Sequence, residues 1–156
     1  MNGNEELMTK FYSAFQQRDY KTMNDCYSDD IVFSDPVFGL LKGEEVKAMW
    51  EMLCKNAKDL SIEFSDPHSE DEYGNCEWIA VYTFSKTKRK VVNKIKAYMK
   101  FAEGRIIEHS DAFSLYEWTK QAFGIKGLLF GWSGFMQHRI HRSARKSLIQ
   151  FMNRNR

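Results

Sequence analysis

The feature that most constrains this chain is a change of hydrophobic period partway along it. Up to about residue 57 the apolar residues recur with helical spacing. Leu7, Phe11, Ala14 and Phe15 share one face; Tyr20, Met23 and Tyr27 share another; Val46, Met49, Trp50 and Leu53 form a stripe over Glu44 to about Asn56. From Leu60 onward the period is two. Leu60, Ile62 and Phe64 alternate with polar residues, as do Trp78, Ala80, Tyr82 and Phe84, then Ile95, Ala97, Met99 and Phe101. Side chains repeat every 3.6 residues on a helix and every two on a strand. The chain therefore reads as three helices followed by a run of antiparallel strands, an α+β order.

Punctuation refines this reading. The polar stretch Gln16 to Asp19 splits the first helical segment in two. Ile31 to Ser34 is a brief strand stopped by Asp35-Pro36, because the residue before a proline is pushed toward extended geometry. Phe38 to Gly43 reads as a loop, and 71–75 and 103–104 as turns between strands. The last strand is expected from about Arg105 to Tyr116. Gly124 to Gly134 reads as a glycine-punctuated apolar loop without nucleotide-binding spacing. Beyond it Met136, Ile140, Ala144, Leu148 and Met152 recur every four residues, while Arg139, Arg142, Arg145 and Lys146 take other faces. This is a basic amphipathic helix. It could serve as a lid, a membrane-surface contact or a contact for an acidic partner. A helix packed on its own acidic body is the favoured reading.

Composition enters through what it excludes. At 156 residues, 43% hydrophobic and 28% charged, the chain has the size and core of one ordered domain. No window of about 18 apolar residues exists, so no transmembrane segment is expected. The start, MNGNEELMTK, lacks an apolar signal core, and a cytoplasmic protein is expected. Cys26, Cys54 and Cys76 are odd in number and widely spaced, which suits reduced core thiols rather than a disulfide framework or zinc site. The net charge of +2 hides an asymmetry. The first 117 residues carry 15 bases against 21 acids, and no acid follows Glu117. Basic–aromatic interleaving is sparse, so nucleic acid is not an expected partner.

The ordered set Phe15-Gln-Gln-Arg-Asp19, Tyr27-Ser-Asp-Asp30, Val32-Phe-Ser-Asp35-Pro36 and Gly43 resembles the N-terminal half of the NTF2-like superfamily. The ketosteroid-isomerase-like and SnoaL-like branches are the nearest. The string from Glu103 to Asp111 resembles that family's last hairpin, and Phe113 to Ala122 an uncharacterised SnoaL-like subgroup. The resemblance covers roughly residues 4–124. It implies a cone: a curved antiparallel sheet wrapped around three helices and a deep apolar pocket, often dimeric through the sheet's outer face. Residues 1–124 would form this domain and 125–156 an extension packed on it or capping it, with an extra C-terminal helix.

Three residues are candidates for chemistry. In the resembled isomerases the aspartate at the position of Asp35 is a general base. A carboxylate at a strand end facing an apolar cavity has a raised pKa suited to that role. The plainer alternative is an aspartate capping its own turn before proline. His109 and Asp111, two apart on a strand, point to one face, shared with Ile107 and Phe113. They could exchange a proton, orient a water, or satisfy one another in the core. In relatives such as scytalone dehydratase an aspartate–histidine couple of this kind performs the acid/base step. The resemblance also argues against steroid isomerisation. The two oxyanion-hole donor positions fall on Phe11 and Ala97, and neither side chain can donate. The remaining expected lining is Phe15, Phe38, Trp50, Tyr82, Phe113 and Trp118, suited to a small, flat, apolar ligand. No metal and no cofactor are expected. A non-catalytic binding or interaction module on the same cone is the alternative.

Overall fold

The computed structural model describes residues 1–155. Helix α1 (Gly3–Gln16) opens with a reciprocal cap: the Asn2 side chain accepts from the Glu5 N–H, and the Glu5 carboxylate accepts from the Asn2 N–H. It ends where Arg18 takes φ 56°, and Asp19 then caps α2 (Tyr20–Asp25). The strands and helices that follow are β1 (Tyr27–Asp35), β2 (Gly39–Lys42), α3 (Glu44–Asn56), β3 (Ser61–Phe64), β4 (His68–Glu70), β5 (Tyr73–Phe84), β6 (Arg89–Ala102) and β7 (Arg105–Ala112). Three helices close the chain: α4 (Leu115–Phe123), α5 (Ile125–Phe130) and α6 (Gly134–Arg154).

The seven strands make one curved sheet in the order β2-β1-β7-β6-β5-β3, with β4 paired to β5. Every pairing is antiparallel except β1 with β7, which is parallel. The expected all-antiparallel sheet is corrected at this one pair. The inner face presents Phe33, Cys76, Trp78, Ile95, Ala97, Met99 and Phe101 to Met8, Phe11, Phe15, Met49 and Trp50 of the helices, and these form the main core. Cys26, Cys54 and Cys76 are buried free thiols.

Four local expectations are corrected. The first strand begins at Tyr27, four residues before Ile31. The segment read as a loop after Pro36 contains β2, which pairs Leu40 and Leu41 with Ser34 and Phe33. The last strand stops at Ala112, because Ser114 accepts from the Glu117 N–H and starts α4. The glycine-punctuated stretch folds as α5. Its Gly127 is buried against α4, where an added Cβ would lie 2.0 Å from the Thr119 carbonyl oxygen.

Helix α6 packs on both apolar clusters of the domain. Leu148 and Phe151 join the main core. Ile140 joins a second cluster with Val91, Trp118 and Ala122, and Val37, Tyr82 and Phe113 pack against both clusters. His141 Nδ1 lies 3.0 Å from the Val37 carbonyl oxygen, Arg145 donates to that of Leu40 at 2.9 Å, and Arg145 pairs with Glu45 at 3.6 Å. The basic helix thus straps the turn between β1 and β2.

Candidate functional site

The parallel pairing of β1 with β7 sets Phe33 opposite His109 and Ser34 opposite Ser110. It brings Asp35, His109 and Asp111 to one end of the inner face. His109 and Asp111 are buried to 2% and 6% exposure. Two buried polar side chains need partners, and the structure supplies a continuous chain of them. Tyr27 Oη accepts from Trp50 Nε1 at 2.9 Å and lies 2.7 Å from His109 Nδ1. His109 Nε2 lies 2.8 Å from Asp111 Oδ1, which also accepts from Trp78 Nε1 at 3.4 Å. In the neutral Nε2–H tautomer, Tyr27 donates to Nδ1 while Nε2–H donates to Asp111. Burial holds the Tyr27 hydroxyl well above the ordinary tyrosine range, so it stays protonated and able to donate.

Asp35 differs from Asp111. It is half-buried, and its Oδ1 accepts from the Val37 N–H at 2.9 Å and the Phe38 N–H at 2.6 Å. It therefore caps its own turn, as the plainer sequence reading expected. Oδ2 makes no hydrogen bond among the described residues. Burial pushes the Asp35 carboxyl up to about 7; the turn N–H groups and His109 oppose this, while the Asp111 charge reinforces it. The same three residues singled out in the sequence thus act on one another.

The rings occupy definite places. Phe33, Phe11 and Trp50 surround the His109 imidazole at centroid distances of 5.1, 5.7 and 6.2 Å, with Trp50 stacked on it. Phe15 packs edge-on against Trp50 and Trp78. Phe11, Phe15, Phe38, Trp50 and Ala97 are all core residues, so the deep end of the cone is filled with packed side chains. Tyr82 and Phe113 are half-buried nearer the mouth, and the Trp118 indole donates to the Tyr82 hydroxyl at 2.7 Å. Asp35 adds to the burial that raises Tyr82. One further group lies inside: the Tyr12 hydroxyl is buried without a hydrogen-bond partner among the described residues. Among the described residues, no three His, Cys, Asp or Glu side chains are grouped as metal ligands.

Tyr27, Trp50 and Trp78 complete the polar chain, and sequence reasoning did not assign them to it. Tyr27 fitted the helical spacing of Tyr20 and Met23. Its role depends on a register irregularity between Tyr27 and Val32, which turns it toward His109. No local sequence signal marks that.

The chain belongs to the SnoaL-like domain family, whose model matches residues 8–109. Solved structures share the fold. An NTF2-like protein of unknown function from Burkholderia pseudomallei superposes with a TM-score of 0.68 at 16% identity, covering 80% of this chain and 100% of its own. A putative polyketide cyclase from Xanthomonas campestris gives 0.63 at 17%, over 75% of this chain and 94% of its own. An epoxide hydrolase of the LEH-like type from M. tuberculosis gives 0.63 at 17%, over 81% and 92%. No curated protein matches the chain. Among the described residues no helix is long and apolar enough to cross a membrane.

Proposed function

We propose that the protein is a cofactor-independent acid–base catalyst acting on a small, oxygenated, hydrophobic molecule at the mouth of the cone. The observation that carries this is the state of Asp35. One oxygen is pinned by two backbone N–H groups, and the other is left without a partner beside the buried His109–Asp111 couple. A carboxyl with a pKa of about 7 both takes and returns a proton near neutral pH. Asp35 is the proton-transfer group in this reading. His109 and Asp111 are positioning residues, since their facing atoms are already bonded to one another and to Tyr27 and Trp78. Tyr82, Phe113 and Trp118 would hold the apolar body of the ligand. Isomerase, lyase and aldol-type cyclase steps all use such a toolkit, and the neighbour described as a putative polyketide cyclase is consistent with it. The reading keeps the cytoplasmic setting and the homodimer through the sheet's outer face. That face carries exposed Val92 between Lys90 and Lys94, and exposed Tyr98 between Lys96 and Lys100.

A non-catalytic binding or interaction module is the second reading. The rings packed about His109, and the absence of side-chain donors at Phe11 and Ala97, favour it.

The test begins with native mass spectrometry of protein purified from its host and identification of any retained small molecule. Asp35→Asn should keep that ligand while lowering turnover by about 10²–10⁴-fold. An empty protein with no thermal shift across a panel of apolar oxygenated compounds would sink the catalytic reading in favour of the module. A single species at monomer mass at micromolar concentration would remove the dimer.

A further inference from the structure

Helix α5 is oriented the reverse of an ordinary amphipathic helix. Its Gly127, with Gly131 just beyond it, is buried against Thr119 of α4, while its large side chains face water. Ile125, Leu128, Leu129, Phe130, Trp132 and Phe135 are 52–76% exposed. Scattered surface hydrophobes are normal, but a contiguous run of this size is not. Glycines at 127 and 131 let α5 approach α4 closely, and the consequence is a crest of leucine and aromatic rings held outward.

The backbone of this crest is prepared for burial. Its carbonyls stand at a helix end, where they ordinarily bond to water. Here the Leu128 carbonyl accepts from Tyr116 Oη at 2.9 Å, that of Leu129 from Trp132 Nε1 at 2.8 Å, that of Phe130 from Ser133 Oγ at 2.6 Å, and that of Gly131 from Gln137 Nε2 at 3.1 Å. Four successive carbonyls, three of them exposed, are satisfied from within, and the Trp132 indole N–H is used in doing so. A segment entering an apolar medium needs this, because there each unmet polar group costs several kcal/mol. A segment that stays in water does not.

The charge carried by α5 and α6 themselves has one sign. Lys126, Arg139, Arg142 and Lys146 are exposed, the last three following Phe135 along the outer face of α6, and no acid follows Glu117. A second copy docked crest to crest would bring like charges together. Rings this exposed in succession project from the surface rather than line a groove. We infer that the crest of α5 and the start of α6 docks on an anionic lipid bilayer, its rings entering the headgroup boundary while the basic residues contact lipid phosphates and carboxylates.

The test is co-sedimentation of the full chain with vesicles of phosphatidylcholine, alone or with added phosphatidylserine. Binding should require phosphatidylserine and weaken with salt. Arg139→Gln and Arg142→Gln should each lower partitioning about fivefold, the value of roughly one basic residue at such a surface. Leu128→Ser with Phe130→Ser should lower it by more than about tenfold, since each removes a large apolar contact. Both positions are exposed, so the variant keeps its core. Trp50, Trp78 and Trp118 are buried, so a blue shift of tryptophan emission on vesicle addition reports on Trp132. Trp132→Phe should abolish the shift and, by freeing the Leu129 carbonyl, weaken the binding. Absence of binding to phosphatidylserine vesicles overturns the inference, as does binding unchanged in the double serine variant. A concentration-dependent dimer lost in that variant, or capture of an acidic protein without vesicle binding, overturns it in favour of a protein-binding crest.

Discussion

Two regions of this molecule concentrate aromatic and aliphatic side chains around polar groups that are satisfied from within. Inside the cone, Phe11, Phe33 and Trp50 enclose His109, and the polar chain runs from Trp50 through Tyr27 and His109 to Asp111 and Trp78. On the crest, Leu128, Phe130 and Trp132 surround carbonyls that Tyr116, Trp132, Ser133 and Gln137 have taken up. The first region is buried and the second faces water. Internal satisfaction is required of any buried polar group. In the cone it is a condition of folding. On the crest it caps carbonyls at a helix end that water also reaches.

The sharpest way to break this comparison is His109→Ala. It removes both bonds of the imidazole, leaves Asp111 buried without its main partner and opens a space among three rings. Loss of about 3–5 kcal/mol is expected, read by urea denaturation. A loss below about 1 kcal/mol would mean that the interior is wet and the polar chain is not a core element.

The next effect is on pH. Asp35 has its folded pKa raised from 3.8 to about 7. The folded state therefore binds this proton more tightly than the unfolded chain, and the contribution is fully present below the unfolded value. It is lost as pH rises toward 7, by at most about 4 kcal/mol. Asp35→Asn keeps the acceptor for Val37 and Phe38 but cannot ionise. It should melt higher than wild type above pH 7 and show a flatter pH profile through that window. Equal melting temperatures at both ends would place Asp35 in solvent.

Smaller still is the contrast between two buried tyrosines. Tyr27→Phe leaves the Trp50 indole and His109 Nδ1 each short of a partner and should cost about 1–3 kcal/mol. Tyr12→Phe removes a hydroxyl that has no partner and should be neutral or stabilising. A cost at Tyr12 equal to that at Tyr27 would reveal a bound polar occupant. At the bottom of the scale, Leu128→Ser with Phe130→Ser should change stability by less than about 0.5 kcal/mol in the absence of lipid, because exposed side chains have little packing to lose. A larger loss would show that the crest is part of the core after all.

The sequence made much of this legible, and the misses have physical causes. The stripe Val46, Met49, Trp50 and Leu53 predicts α3 at its observed bounds, since nothing competes with a clean amphipathic period. His109 and Asp111 fall on one face because strand alternation is a strictly local rule. Tyr27 escaped because its place depends on pairing with a strand some eighty residues away. The alternation runs past the true end of the last strand because Phe113 and Leu115 keep its period of two. Ser114 followed three residues later by Glu117 was the capping signal that could have corrected it. The glycines of α5 read as loop punctuation because a helix packed this closely on its neighbour needs small residues on its inner side, and spacing alone does not distinguish the two uses.

The lone parallel pairing of β1 with β7 has a consequence for how the molecule comes into being. β5 and β6 are joined by a short turn and pair along nearly their whole lengths, so their contacts close small loops early. Asp35 and Tyr27 can meet His109 and Asp111 only after the chain between them has been made and has returned to the first strand. During synthesis the helices and the long hairpin can assemble while the site does not yet exist. A nascent chain stopped before β7 would carry an exposed edge on β1 and would lack His109 and Asp111. Such long-range closure also places the site among the slower steps of folding. The pairing that gathers Asp35, His109 and Asp111 is therefore made late in assembly, once β7 joins the sheet.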